Sequence, residues 1–134
     1  QKVIIFYGGK TEQDLPLASE LKEQGYELLI STEDGSLGFK GLITELLERE
    51  LVNLKPDRVY ACGPEAMLAK MARIIEKWTL KAELSLEARM GCGFGVCYGC
   101  VWPIRHNREV HWTRICLEGP VFPAEAIAWE IKND

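Results

Sequence analysis

Short apolar runs alternate with segments of helical period along the first part of this chain. Residues 2–6 read as a buried strand ending at Gly8 and Gly9. Thr11 follows with Asp14 three residues on, a pairing that suits the N-terminus of a helix running to about Gln24, and Gly25 closes it. Residues 26–30 are apolar and lead into polar turn residues, which completes a β-α-β unit. Leu42, Ile43, Leu46, Leu47 and Leu51 then recur at helical spacing, and Lys55-Pro56-Asp57 breaks the chain before a strand at 58–61. Pro64 suits the first turn of a helix reaching about Lys77, with Met67, Leu68, Met71, Ile74 and Ile75 on its inner face, and 82–84 is a last parallel strand. The alternation predicts an α/β fold with a right-handed, doubly wound parallel sheet, whose ligands bind at the carboxyl ends of the strands.

Beyond Ser85 the helical period vanishes and glycine density rises, while residues 101–104, 110–115 and 127–131 read as short antiparallel strands. The pattern therefore divides the chain into an α/β domain over 1–84 and a small, mainly β domain over 85–134. In that second part Cys92, Cys97, Cys100 and Cys116 follow the order C-x4-C-x2-C-x15-C, with Gly91, Gly93, Gly95 and Gly99 among the first three. This spacing suits a loop wrapped around a [2Fe-2S] cluster, because four thiolates must converge on two irons and glycines let the backbone turn close to the cluster. Side chains at Gly93 or Gly95 are expected to collide with it. Structural zinc more often takes paired C-x2-C hairpins, and a disulfide framework suits small secreted chains, whereas this one has five cysteines and no apolar leader-like segment. Zinc stays open as a substitute, and with it a zinc-stabilised binding module as an alternative function.

The 134 residues are 47% hydrophobic and carry a formal net charge of -4, with no basic stripe interleaved with aromatics. That balance argues against nucleic-acid binding. No apolar run reaches the length of a membrane span, so the expectation is a cytoplasmic protein without membrane attachment.

Two further segments occupy strand ends. Cys62-Gly63-Pro64 marks a strand-to-helix turn where backbone amides can face a nucleotide, or simply reverse the chain. Asp34, with Glu33 beside it, lies in a turn whose carboxylates suit ribose hydroxyls and oppose a 2′-phosphate, favouring NADH over NADPH, or else form a solvated acidic turn. His106 and His111 read as surface residues, Trp102, Trp112 and Trp129 as material of which at least two serve the core, and Lys70, Arg73 and Lys77 as a solvated helix face.

Taken together, Cys62-Gly63-Pro64 with Met67-Leu68, the stretch from Thr32 to Gly41, the run from Ser85 through Met90 to Cys100, and Cys116-x-x-Gly119-Pro120-Val121-Phe122 resemble the electron-transfer subunit of the NAD-dependent dihydroorotate dehydrogenases, within the ferredoxin reductase-like superfamily. The resemblance runs over nearly the whole chain and is most specific from Ser85 to Phe122. Related subunits occur in sulfhydrogenase-like and glutamate-synthase-like complexes, which stay open as alternatives. The resemblance implies a subunit in which FAD sits in a barrel domain, NADH in an α/β domain and a [2Fe-2S] cluster in a C-terminal domain. Electrons pass to FMN in a separate catalytic subunit serving pyrimidine biosynthesis, so the partner is that FMN-containing subunit in a hetero-oligomer. By matching position it implies Cys92, Cys97, Cys100 and Cys116 as cluster ligands, Cys62, Gly63 and Pro64 near the nicotinamide, and Asp34 near the adenosine. The FAD barrel and the glycine-rich first strand of the NAD domain have no counterpart in the sequence, which matches the C-terminal half of such a subunit. The isolated chain is accordingly expected to bind FAD and NAD weakly or not at all, and to have no activity of its own.

Overall fold

The computed structural model describes residues 2–131. They fold as two compact units that meet in sequence at Lys55 and Pro56. In the first unit the elements are β1 (Ile4–Gly9), a 3-10 turn (Glu12–Asp14), α1 (Ala18–Glu23), β2 (Glu27–Thr32), β3 (Phe39–Lys40) and α2 (Ile43–Glu50). β1 and β2 pair in parallel from Ile4↔Glu27 to Gly9↔Thr32, and β3 joins β2 in parallel through Ser31↔Phe39 and Thr32↔Lys40.

The first predicted helix is shorter than its pattern. Thr11 and Asp14 do interact, the Thr11 backbone N–H and hydroxyl both donating to the Asp14 carboxylate at 2.9 and 3.3 Å, but they close only the 3-10 turn. Pro16 lacks a backbone N–H and disfavours helical backbone at Leu15, so α1 starts afresh at Ala18. Its end is as expected: Gly25 takes φ +82°, with Gly25 N–H bonded to the Lys22 carbonyl at 3.0 Å and Tyr26 N–H to the Leu21 carbonyl at 3.2 Å. Leu15, Ala18 and Ile30 are buried together with Tyr7, Leu28 and Leu37 against them. The α2 face presenting Leu46, Leu47 and, just beyond its end, Leu51 is likewise buried.

The second unit contains β4 (Val59–Cys62), α3 (Glu65–Lys77), β5 (Ala82–Ser85), β6 (Val101–His106), β7 (Glu109–Arg114), α4 (Ile115–Glu118), β8 (Val121–Pro123) and a 3-10 turn (Ala124–Ala126). Pro64 precedes the first helical residue of α3, and Leu68, Met71, Ile74 and Ile75 form the buried stripe that its period predicts. Burying each such side chain fully stabilises the fold by about 1.5–3 kcal/mol relative to exposure. β4 and β5 are parallel, whereas β5 and β8 are antiparallel. β6 and β7 make a separate antiparallel hairpin.

The α/β class with parallel strand pairing holds, with the strand order β1-β2-β3 in the first unit and β4-β5-β8 in the second. β8 hydrogen-bonds to β5 across the division expected between residues 84 and 85, from Glu83↔Pro123 to Ser85↔Val121. The strand expected at 127–131 is a single bridge, Ile104↔Ile127, followed by a turn. Ile127 and Ala128 are buried and Ala128 N–H bonds to the Pro103 carbonyl at 3.0 Å, so this segment packs as a plug and does not extend a ladder. Trp102 is fully buried and meets half-buried Trp129 edge to face at 5.3 Å, while Trp112 is exposed, as are His106 and His111. Among the described residues, no helix is long and apolar enough to cross a membrane.

Candidate metal centre

The β6–β7 hairpin brings two of the four cysteines together. Cys100 immediately precedes β6 and Cys116 follows β7 by two residues, so the register that pairs Val101 with Arg114 sets them side by side. The Ile115 N–H to Cys100 carbonyl bond, 3.1 Å, locks that base. Cys100 is buried and Cys116 partly so. The backbone N–H and the thiol of Cys116 draw the Cys100 thiol below its ordinary range, and the Cys100 thiol in turn pushes Cys116 up.

The other two are gathered by the loop that leads to β6. It doubles back through left-handed backbone at Gly93 (φ +73°), Gly95 (φ +85°) and Tyr98 (φ +54°). Cys97 is exposed, accepts a hydrogen bond from the Gly99 N–H at 3.4 Å, and lies so near Gly91 that a Cβ there would stand 3.3 Å from its sulfur. Backbone N–H groups of Cys97 and Phe94, and then the Cys97 thiol, lower the Cys92 thiol to about 6. Among protein atoms, a Cβ at Gly93 meets nothing within 4 Å, and one at Gly95 would stand 2.2 Å from Leu117 Cδ1. Glycine is required at both by φ, and at Gly95 also by the approach of α4.

The structure thus assembles the thiols as Cys92 with Cys97 and Cys100 with Cys116. Among the described residues, no three His, Cys, Asp or Glu side chains are closed around a single ion position. Two thiolate pairs backed by N–H donors are nonetheless a donor set that fits a dinuclear iron–sulfur cluster, in which each iron takes two protein ligands. A basic group sits alongside. Arg114, the last residue of β7, donates from Nη1 to the Gly95 carbonyl at 3.1 Å and from Nε to Glu118 Oε1 at 3.1 Å, and its guanidinium lies 4.9 Å from the Tyr98 ring centroid. The Glu118 carboxylate holds the Arg114 guanidinium further up its range.

Residues 87–128 match the iron–sulfur cluster-binding domain of dihydroorotate dehydrogenase B, a stretch containing all four cysteines and Arg114. The dihydroorotate dehydrogenase B (NAD(+)) electron transfer subunit of Desulforamulus reducens is 36% identical over 129 residues, covering 96% of this chain and 49% of the relative. That of Caldanaerobacter subterraneus subsp. tengcongensis is 39% identical over 127 residues, covering 95% and 49%. The chain resembles half of such a subunit. It spans about half the length of the curated relatives it matches. A solved structure of an NADH-dependent reduced ferredoxin–NADP oxidoreductase, described for flavin-based electron bifurcation, aligns with a TM-score of 0.75 at 27% identity, over 92% of this chain and 43% of that one.

The other residues singled out by likeness to the dihydroorotate dehydrogenase B subunits lie at strand ends. Asp34 is exposed beyond β2, where its Oδ1 accepts the Ser36 N–H at 2.9 Å and the Ser36 hydroxyl at 2.7 Å, bonds that lower its carboxyl. Cys62, Gly63 and Pro64 join β4 to α3, with Cys62 exposed and Gly63 at φ +150°. Asp34 belongs to the first unit and Cys62 to the second. Arg114, Tyr98 and Glu118 escape a reading by spacing, because nothing in their order along the chain shows that they meet.

Proposed function

We propose that this chain carries electrons through a [2Fe-2S] cluster ligated by Cys92, Cys97, Cys100 and Cys116, as the C-terminal half of an electron-transfer subunit. The observation that carries the reading is the coincidence of the two thiol pairs with the iron–sulfur domain match over 87–128. Such a cluster supplies one-electron chemistry at a potential set by its surroundings. The chain's own work is to fix that centre in place. Cys100 and Cys116 hold one side from the base of the hairpin, Cys92 and Cys97 hold the other from the glycine loop, and the Gly99 N–H bonds the Cys97 sulfur. In the complete subunit, NADH delivers electrons to FAD, and the relay ends on FMN in a dihydroorotate dehydrogenase catalytic subunit within a hetero-oligomer. Asp34 then serves the adenosine end of NADH, and Cys62, Gly63 and Pro64 the nicotinamide end.

Iron, zinc and acid-labile sulfide assayed on anaerobically purified protein test the reading. Two irons and two sulfides per chain are expected. Stoichiometric zinc without sulfide would overturn it in favour of a zinc-stabilised module.

A further inference from the structure

We propose that Arg114 is a positioning residue that also sets the reduction potential of the centre, its charge being partly offset by Glu118. This rests on the iron–sulfur reading above. Arg114 touches each of the three segments that present the cysteines. Gly95, whose carbonyl it binds, lies between Cys92 and Cys97. Tyr98, under its guanidinium, lies between Cys97 and Cys100, and Glu118 lies two residues past Cys116. The Arg114 side chain is only 28% exposed, so its charge is fixed and incompletely screened.

When one electron enters from a reductant such as dithionite, one ferric ion becomes ferrous. No atom is gained or lost, and the centre becomes more negative by one charge. A cation held against the ligand loop stabilises that state more than the oxidised one, so it raises the potential. A carboxylate paired with the cation works the other way. The two side chains therefore act with opposite sign on one equilibrium, a signature that mere loop bracing lacks. Lysine in place of Arg114 keeps the charge but loses the planar fork and the stacking on Tyr98.

The test is a redox titration, followed by electron paramagnetic resonance, on the 134-residue chain and on Arg114→Gln, Arg114→Lys and Glu118→Gln, each first assayed for iron and sulfide. Arg114→Gln is expected to lower the midpoint and Glu118→Gln to raise it, each by a change of about tenfold in the reduction equilibrium, equivalent to ~59 mV for a one-electron couple. Arg114→Lys is expected to keep the midpoint while losing its cluster faster to a chelator. If Arg114→Gln does not retain a cluster, Glu118→Gln decides: a raised midpoint supports the proposal, and an unchanged or lowered one overturns it. Equal midpoints in all loaded variants overturn it as well. Absence of iron and sulfide from the unaltered chain refutes the cluster reading itself, which keeps the two failures apart.

Discussion

Single residues in the cysteine loop are held by different constraints, and substitution separates them. Alanine at Gly93 meets no protein atom and bears the left-handed backbone penalty, about 1–2 kcal/mol. At Gly95 the same backbone cost is joined by a clash with Leu117, so Gly95→Ala is expected to destabilise the protein more than Gly93→Ala in urea denaturation. Cys97→Ser is expected to abolish the visible absorbance of loaded protein, since a serine oxygen is a harder ligand, whereas Cys62→Ser leaves it intact. Asp34 tests a different property. Its folded carboxyl is lowered from 3.8, so its stabilising effect is complete above that value and is lost as pH falls through the folded value. Asp34→Asn is expected to flatten this part of the acid limb in stability measurements across that range. The four cysteines were legible in the sequence as a spaced set of thiols, which the structure gathers in two pairs. Arg114 was not, because its importance arises only when a hairpin register and a loop reversal bring Gly95, Tyr98 and Glu118 to it.

Among the elements, those with a strong period or a sharp stop were legible. The stripe of α3 and the glycine stop of α1 both follow local rules. Pro16 shows how one residue overrides the helix period around it, and β8 shows the converse. Val121–Pro123 is short and flanked by Pro120, a poor strand by composition, yet it pairs with β5 from the sheet edge, where a proline is tolerated. The 127–131 segment has apolar content fit for a strand but spends it on burial. The β6–β7 turn carries a prediction of its own. Asn107 and Arg108 both adopt positive φ, +49° and +73°, between His106 and Glu109, the backbone of a two-residue hairpin that favours Asn-Gly. Arg108→Gly is expected to raise stability by about 1 kcal/mol, read from the denaturation midpoint.

For the whole molecule, composition and strand–helix alternation conveyed the α/β class, but pairing between strands distant in sequence is invisible to local pattern. The pairing of β8 with β5 across Ser85 is of that kind. Loading with metal is expected to act unevenly on the molecule. The residues from Gly91 to Cys100 are mostly exposed and contribute little apolar packing, whereas α3 buries a continuous stripe. Hydrogen exchange should therefore slow on loading in the cysteine loop and remain unchanged in α3. Equal exchange in the loop with and without metal would contradict this.

The position of β5, paired to β4 on one side and β8 on the other, bears on how this architecture can be cut and reused. A graft beginning at Ser85 would carry the cysteines but leave β8 without most of its ladder, and Phe122, buried opposite Leu84, without its neighbour across the sheet. A graft starting at Pro56, the first residue of the second compact unit, brings β4, α3 and β5 with it. Swapping iron–sulfur modules between chains at that junction keeps the sheet whole, and swapping at Ser85 splits it.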